Sequence, residues 1–550
     1  MHLAKRVMTS LVFCCVALAG CDRTSPVVLD ITTPDKPLQF MESSGRALCD
    51  QLIRIETGWI RGISEDDAES CVWRGVPYAK AKRWLAPQRA DDWDGVLDAS
   101  RWGARCMQNN GLRNWIFNWD PSGEMSEDCL FLNVWRPYRG IRLPVMVFLH
   151  GGGLGLGTAN SSYYWGDRLA ESGEIVYVSL NYRVGSMGFF ASPALAKEDA
   201  NGSVGNYGML DQIAALRWVK QNVAVFGGDP NNITIFGQSG GSWSVCNLLA
   251  SPLAEGLFHR AIMQSGGCNH TVSLQGAYEM GKDLAKRLGC DANDLECLRR
   301  VPAEDVIDHQ MSPRYLSTSF GPTHDGHVLS ADPLEEFQHG RFNQVPVIIG
   351  YTRDEMHFVL TFFQSELEDV EPESYQAGMQ KLMEVKSDVE EILSLYPLED
   401  NRGSPYWAYG RVATEIGFTC PSFDVATAIS QYQEDVWFYR IDFESGESRY
   451  AAHGMDVPLV TQTLDRFGLA TFLYDSDRRE AAVPLSNEIS RMWSSFARSG
   501  NPNSGSMQEW PRFDRQSMRM RVFDLESSNS QFDRLEQCRF WGSYNQAPSW

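Results

Sequence analysis

One serine in this chain lies in a sequence context that could make its hydroxyl a nucleophile. Ser239 lies in Gly-Gln-Ser-Gly-Gly, between an apolar segment, 233–236, that predicts a short buried strand and a segment, 243–250, that predicts a helix. At so sharp a strand-to-helix turn, the residues two before and two after the serine have no room for a Cβ, which explains Gly237 and Gly241. The pattern predicts that the Ser239 hydroxyl is exposed above a sheet, where it could attack a carbonyl carbon.

A run of glycines earlier in the chain could bind the oxyanion that such an attack creates. The apolar segment 144–149 predicts a strand, and His-Gly-Gly-Gly-Leu-Gly-Leu-Gly follows it at 150–157. A phosphate-binding loop is the rival interpretation, but no Gly-Lys-Ser/Thr follows and the spacing does not give Gly-x-Gly-x-x-Gly. Glycines allow backbone N–H groups to approach a carbonyl oxygen closely, and one such donor typically stabilises the transition state by about 3 kcal/mol.

A large α/β domain must position these groups. The chain has 550 residues, of which 43% are hydrophobic, and this is ample for a large core. After the first 45 residues no linker rich in Pro, Ser or Gly divides the chain, so residues 46–550 are expected to form a single domain. Segments 52–63 and 70–76 predict paired strands, and 375–395 predicts an amphipathic helix that covers the core.

Several motifs resemble those of one protein family. Residues 127–135, Glu-Asp-Cys-Leu-Phe-Leu-Asn-Val-Trp, are similar to the second signature of the type-B carboxylesterases, which include the cholinesterases and the non-catalytic neuroligins. The resemblance covers nearly the whole chain, from about residue 50 to about residue 545. It implies an α/β-hydrolase fold, an α/β class with a large, mostly parallel central sheet flanked by helices and with insertions over an active-site gorge. It also implies that the N–H groups of Gly152, Gly153 and Gly240 form the oxyanion hole.

In that fold the nucleophile is followed along the chain by an acid and then by a histidine. Asp354 and Glu355 both follow the apolar strand predicted at 345–349, and spacing alone does not choose between them. The resemblance to the family's Asp-Glu motif selects Glu355. Only His357 and His453 lie beyond that strand, and His357 is too close to the acid to come from another loop, so His453 is the expected base.

The expected reaction is acyl transfer to water through a covalent acyl-enzyme. His453 takes the proton of Ser239, and Glu355 orients the imidazole and stabilises the imidazolium. No metal and no organic cofactor is needed. The expected substrates are small to medium carboxylic esters.

The alcohol side of the ester has two interpretations. By resemblance, Trp119 occupies the position of the tryptophan that binds choline in cholinesterases, and Phe358 falls at another aromatic position of that site. Two aromatic faces could bind a quaternary ammonium at about 1 to 2 kcal/mol each when desolvated. A general hydrophobic pocket is favoured instead, because cholinesterases carry Glu where this chain has Gln238, and a neutral amide removes the nearest fixed negative charge.

The predicted acyl pocket and the alternative functions are also inferred from this resemblance. Leu316 and Thr318 align with the family's acyl pocket, and because neither is bulky, acyl groups larger than acetyl should fit. A lipase-like enzyme, recognised by activation at lipid interfaces, is one alternative. A binding or adhesion protein is a minor one, because neuroligins lack the nucleophilic serine that this chain has at Ser239.

The cysteines predict disulfides in an exported protein. Three of the 13 cysteines precede residue 45, which leaves an even number, ten, in the domain. Closing the loop between Cys106 and Cys129 would stabilise the fold by about 3 kcal/mol in the chain-entropy model. Cys49 and Cys71 flank the predicted strand pair and could pair or stay as two buried thiols, whereas Cys246 and Cys268 are left open. The resemblance implies family disulfides that join Cys106 to Cys129, Cys290 to Cys297 and Cys420 to Cys538.

The N-terminus resembles a bacterial lipoprotein signal. Lys5 and Arg6 precede an apolar run, 7–20, that is too short to anchor in a bilayer, and small residues lead to Cys21. We expect residues 1–20 to be a signal peptide, Cys21 to be acylated, and 21–45 to be a flexible tether. The protein would then be exported and held, through this anchor alone, on a membrane facing the periplasm or the cell surface; a plain secretory signal is the alternative.

The overall charge excludes one class of partner. Lys and Arg total 49 against 70 Asp and Glu, a net charge of −21, so nucleic acid is not an expected partner. A cationic substrate would be attracted, although most of these charges are expected to form a solvated surface. The oligomeric state is not indicated.

Overall fold

The computed structural model describes residues 45–543 except 66, 110–123, 311–319, 364–366, 368, 384–388, 445–449, 467–473 and 506–507. The described residues belong to one compact unit, Gln39–Trp550. Among them, no helix combines the length and the apolar character needed to cross a bilayer. The predicted signal peptide, Cys21 and all but the last residue of the tether lie outside the described residues, so these remain predictions.

Eighteen strands are described. In chain order they are β1 (Leu52–Ile55), β2 (Gly58–Arg61), β3 (Ile63–Ser64), β4 (Ser70–Pro77), β5 (Ala79–Lys80), β6 (Gln88–Arg89), β7 (Val96–Asp98), β8 (Arg105–Cys106), β9 (Met125–Ser126), β10 (Phe131–Pro137), β11 (Leu143–Leu149), β12 (Val176–Leu180), β13 (Gly228–Gln238), β14 (Arg260–Gln264), β15 (Val347–Thr352), β16 (Val436–Ile441), β17 (Arg519–Phe523) and β18 (Ser528–Gln531).

The described α-helices surround these strands. They are α1 (Asp167–Gly173), α2 (Gly185–Phe189), α3 (Pro193–Glu198), α4 (Tyr207–Asn222), α5 (Gly240–Ala250), α6 (Leu274–Arg287), α7 (Leu295–Arg300), α8 (Ala303–His309), α9 (Pro333–Gln338), α10 (His357–Phe363), α11 (Tyr375–Met383), α12 (Val389–Leu395), α13 (Pro405–Thr414), α14 (Cys420–Ile429), α15 (Asp456–Thr461), α16 (Ser476–Ser499) and α17 (Leu535–Ser543). One π-helical turn, Glu415–Thr419, joins α13 to α14.

A mixed sheet of eleven strands forms the centre of the fold. Its order is β18-β17-β16-β15-β14-β13-β11-β12-β10-β4-β3, and the pairs from β12 to β17 are parallel. The outer pairs are antiparallel. This is the large, mostly parallel sheet flanked by helices that the sequence predicts.

The apolar strand residues divide between the two faces of this sheet. Along β11, Val145 and Val147 pack into one core cluster, and Met146 and Phe148 pack into the other. Side chains of successive strand residues point to opposite faces, so an uninterrupted apolar strand serves both layers. Residues of α4, α5 and α14 belong to the first cluster, and residues of α1, α15 and α16 belong to the second.

Two predictions about elements are corrected. Segment 52–63 is not one strand paired with the segment at 70–76. Its strands β1 and β2 form a hairpin, because the chain turns at Glu56 and Thr57. Of β1, β2 and β3, only β3 pairs with β4. Segment 375–395 contains two helices, α11 and α12, with 384–388 outside the described residues. They pack with α13 in a third, smaller core cluster.

Five disulfides cross-link the described residues. The three that the family resemblance implies are present, and Cys49 also pairs with Cys71 and Cys246 with Cys268. The last of these ties α5 to the segment that follows β14. The two pairings that the sequence left open are thus both formed.

Candidate active site

Ser239 occupies a strained turn between β13 and α5. Its φ of 58° and ψ of −124° lie outside the usual regions for a residue with a side chain. The Ser239 N–H donates to the carbonyl oxygen of Gln264 at 2.9 Å, and its own carbonyl oxygen accepts from the N–H of Trp243 at 3.1 Å. These two hydrogen bonds fix the backbone of Ser239 in this strained conformation. The serine is half-buried, whereas both of its neighbours are fully buried.

Gly237 and Gly241, two residues to either side of Ser239, must be glycine because a Cβ at either position would overlap backbone atoms. A Cβ on Gly237 would lie 2.4 Å from the carbonyl oxygen of Gly241, and a Cβ on Gly241 would lie 2.0 Å from that of Leu149. Both distances are far below van der Waals contact. The turn therefore brings α5 directly against the end of β11, from which the glycine run starts.

The glycine run and the serine turn meet. A Cβ on Gly240 would lie 2.9 Å from the backbone nitrogen of Gly153 and 2.8 Å from that of Leu154. Gly240 is the first residue of α5, where helical N–H groups have no intrahelical acceptor. In the described part of the chain, the N–H groups of Gly152 and Gly153 also have no hydrogen-bond acceptor. Free backbone donors from two segments thus lie together beside Ser239.

The loop that carries these donors is fixed at both ends. At its start, the His150 imidazole stacks on Tyr182 with ring centres 4.3 Å apart, and the Tyr182 hydroxyl donates to the His150 carbonyl oxygen. Burial lowers the pKa of His150 to about 4, so this ring is neutral at ordinary pH. At its end, the Gln108 amide donates to the carbonyl oxygen of Gly157 at 2.8 Å and accepts from its N–H at 2.9 Å. Sequence reasoning missed Gln108, for which no local signal exists.

Glu355 and His453 form a buried pair. The Nδ1 atom of His453 lies 2.5 Å from Oε2 of Glu355, and Oε1 of Glu355 accepts from the N–H of Thr352 at 2.7 Å. The Glu355 side chain has no solvent exposure. Because a carboxylate only accepts hydrogen bonds, Nδ1 carries the proton and Nε2 carries a lone pair.

The neighbouring acid and the other candidate histidine are engaged elsewhere. Asp354 binds the guanidinium groups of Arg353 and Arg411 and accepts from the N–H of Ala451. The buried His357 ring lies 3.2 Å from the carbonyl oxygen of Trp407. The structure therefore places Glu355, and not Asp354, on His453.

Two further side chains contact the imidazole. The Nε2 atom of Gln238 lies 3.1 Å from Nε2 of His453. The Phe418 ring, on the π-helical turn, packs on the imidazole with ring centres 4.7 Å apart. Among the described residues, no hydrogen bond joins Nε2 of His453 to Oγ of Ser239. Such contacts are often loose without substrate and tighten when it binds.

A second carboxyl group lies behind this pair. Oδ2 of Asp456 accepts from the Gln264 amide at 2.8 Å and from the Tyr439 hydroxyl at 3.4 Å. Burial, with a smaller contribution from the charge of Glu355, raises the pKa of Asp456 to about 6. Its position three residues after His453 is the one signal by which the sequence could have pointed to it.

Most of the predicted substrate-binding residues cannot be placed. Trp119, Leu316 and Thr318 lie outside the described residues. Phe358 lies in α10, three residues after Glu355, but its side chain is also outside them. Gln238 is described, and it contacts His453.

This chain is similar to known proteins over most of its length. Residues 49–541 match the Carboxylesterase family. The chain is 33% identical to the para-nitrobenzyl esterase of Bacillus subtilis (strain 168) over 491 residues, which are 86% of this chain and 95% of that protein. It is 33% identical to the fumonisin B1 esterase of Sphingopyxis macrogoltabida over 480 residues, 84% of this chain and 85% of that protein.

A solved structure shows the same fold. The crystal structure of a Geobacillus stearothermophilus carboxylesterase matches with a TM-score of 0.77 and 33% identity, over 89% of this chain and 99% of that one. Identity at this level, over nearly the full length of both chains, shows common descent and not the fold alone. The chain therefore belongs to the carboxylesterase family, and the protein is a carboxylic ester hydrolase with the α/β-hydrolase fold.

Proposed function

We propose that Ser239, His453 and Glu355 form the catalytic triad of this esterase. The observation that carries the proposal is the 2.5 Å contact between Glu355 and Nδ1 of His453, which puts the proton of the neutral ring on Nδ1 and a lone pair on Nε2, the atom that contacts Gln238 next to Ser239. Nε2 accepts the Ser239 proton as Oγ attacks the ester carbonyl carbon. Glu355 keeps the imidazole in the required tautomer and stabilises the imidazolium that forms.

The tetrahedral intermediate carries its negative charge on the former carbonyl oxygen. The free N–H groups of Gly152, Gly153 and Gly240 are the donors that would bind it. Collapse of the intermediate breaks the bond to the leaving alcohol, which takes the proton from Nε2 of His453. His453 then removes a proton from water, the hydroxide attacks the acyl-enzyme, and the acid is released as Ser239 regains its proton.

The described groups around His453 favour uncharged esters. Phe418 presents an apolar ring to the imidazole, and the residue before the nucleophile, Gln238, is a neutral amide. Neither supplies the fixed negative charge that would favour a cationic alcohol. The related proteins are named for different substrates, para-nitrobenzyl esters and fumonisin B1, so membership of the family does not select one ester. We therefore propose small to medium neutral esters as substrates.

The test compares two esters with the same acyl group. We expect kcat/KM for an uncharged ester to equal or exceed that for a choline ester, and Ser239→Ala to lower both by roughly 10⁴-fold or more. Ser172→Ala is the matched control, because its hydroxyl contacts only Gln462 at the surface among the described residues. Turnover that survives Ser239→Ala would contradict the triad. A choline-ester preference that weakens with added salt would contradict the neutral substrate class.

A further inference from the structure

Gln238 touches the one nitrogen that must receive the serine proton. Its side-chain Nε2 lies 3.1 Å from Nε2 of His453, across 215 residues of sequence, and both side chains are at least nine-tenths buried. The other end of the amide is also confined, because Oε1 lies 3.1 Å from the position that a Cβ on Gly151 would take. The amide therefore lies between Gly151, in the glycine run 150–157, and the imidazole.

The hydrogen-bonding capacity of each group gives this contact a direction. Nδ1 of His453 donates to Glu355, so a neutral ring has only a lone pair at Nε2. An amide nitrogen can only donate. Gln238 therefore donates to Nε2 of the neutral ring, and it occupies the same lone pair that Ser239 needs.

The same contact becomes unfavourable once the proton has moved. In the imidazolium, Nε2 carries a hydrogen, and two N–H groups would then face each other. The amide must withdraw or turn its oxygen towards the ring. A hydrogen bond to the neutral form of a group disfavours its charged form, so Gln238 opposes protonation of the resting base.

We infer that Gln238 is a positioning residue that holds the resting, neutral imidazole of His453 through Nε2 and releases this atom to Ser239 when substrate binds. The inference rests on the proposed triad and adds the group that controls the base. A chain with a carboxylate at this position would favour the imidazolium instead. Gln238 therefore extends turnover to lower pH than a glutamate at this position would allow.

The other groups around His453 are few. Glu355 follows β15, Asp456 begins α15 with Tyr439 of β16 behind it, and Phe418 on the π-helical turn is uncharged. In the described part of the chain, Glu355 is the only charged side chain in contact with the imidazole. Since the pKa of Asp456 is about 6, this carboxyl group could itself contribute to an acidic inflection, and the experiment must separate it.

The experiment measures kcat/KM for one neutral ester against pH in three proteins: wild type, Gln238→Met and Gln238→Glu. Methionine keeps the length of the side chain and removes the donor, and glutamate replaces the donor with a charged acceptor. We expect the pH of half-maximal activity on the acidic side to rise by roughly half a unit in Gln238→Met. In Gln238→Glu we expect it to rise by about one unit or more.

Two results would overturn the inference. If all three proteins share one midpoint, the amide does not act on the base. If only Gln238→Glu is shifted, an added charge explains the result without any role for the amide donor. Each series is repeated in an Asp456→Asn background, and a shift that disappears there would assign the effect to Asp456.

Titration of the active site separates an effect of Gln238 on His453 from a loss of folded protein and from a failure of the proposed triad. An organophosphate titration gives the fraction of molecules with a reactive Ser239, and rates are expressed per reactive site. Gln238→Leu is the second apolar variant if the methionine variant does not fold. Absence of Ser239 labelling in the wild type would refute the proposed triad itself. Normal labelling with unchanged midpoints would refute only the role of Gln238.

Discussion

At the scale of the residue, three neighbouring acids are all buried but differ in their partners. Glu355 faces His453, and Asp354 is held by two guanidinium groups. Asp456 has neither kind of partner; its Oδ2 accepts only from Gln264 and Tyr439, and its Oδ1 has no hydrogen-bond partner among the described residues. A carboxylate desolvated without a countercharge is costly, which is why its pKa rises to about 6.

This raised pKa predicts a dependence of stability on pH. The ordinary value for the group is 3.8, so between pH 4 and pH 6 the folded protein binds the Asp456 proton more tightly than the unfolded chain does. Its contribution to stability is therefore full below about pH 4 and is lost as the pH rises through about 6, by up to about 3 kcal/mol. Asp456→Asn, which cannot ionise, should lose less stability than the wild type over this range.

Thermal unfolding of the two proteins at several pH values between 4 and 7 checks this. Other groups titrate in both proteins, so the difference between the two curves isolates Asp456. We expect the difference in Tm to favour the asparagine variant progressively as the pH rises. Parallel curves would show that the carboxyl group titrates at its ordinary value.

At the scale of the element, the turn from β13 to α5 is a contact between backbones. Gly241 lies so close to the end of β11 that any side chain would displace either α5 or the glycine run 150–157. We expect Gly241→Ala to abolish most esterase activity and to destabilise the protein by more than about 2 kcal/mol, because the contacted atom is a backbone carbonyl oxygen that cannot rotate away.

The matched control is Gly542→Ala in α17. A Cβ there meets no atom within 4 Å, and alanine is the better helix former, so stability should not fall. Activity and Tm of both variants are compared with the wild type. If Gly241→Ala keeps wild-type activity and Tm, the close approach of α5 to β11 does not constrain the site.

At the scale of the whole molecule, one disulfide spans far more chain than the others. Cys420 and Cys538 are 118 residues apart, and they join α14, which follows the π-helical turn of Phe418, to the last described helix. Cys290 and Cys297 are only 7 residues apart. In the chain-entropy model, closing the long loop stabilises the fold by about 5 kcal/mol and closing the short one by about 2 kcal/mol.

We therefore expect replacing Cys420 and Cys538 with alanine to lower Tm clearly more than the same change at Cys290 and Cys297. The second pair is the control for loss of a disulfide as such. Tm is measured by scanning calorimetry at one scan rate, because a protein of this size can unfold irreversibly. Equal losses would mean that loop length does not govern the stabilisation.

Features that depend on local sterics, on motifs and on chain order could be predicted from the amino-acid sequence alone. A clash within the turn explains Gly237, because its Cβ would meet the carbonyl oxygen of Gly241, whereas a Cβ on Gly241 would meet Leu149 at the end of β11. The family resemblance implied the large, mostly parallel sheet, and its apolar strands fill both faces. The signature motifs then indicated the family. Chain order pointed to His453 as the expected base and to Asp354 or Glu355 as the expected acid, and only the resemblance to the family's Asp-Glu motif selected Glu355.

The contacts between side chains far apart in the sequence are seen only in the folded structure. The contact of Glu355 with His453 spans 98 residues and that of Gln238 with His453 spans 215, and no local pattern encodes either distance. The same holds for Phe418, which reaches the imidazole because a π-helical turn interrupts the helix before it. Local sequence sets the conformation of each turn, but the packing of distant elements sets the surroundings of Ser239 and His453, and these surroundings control the chemistry these side chains can do.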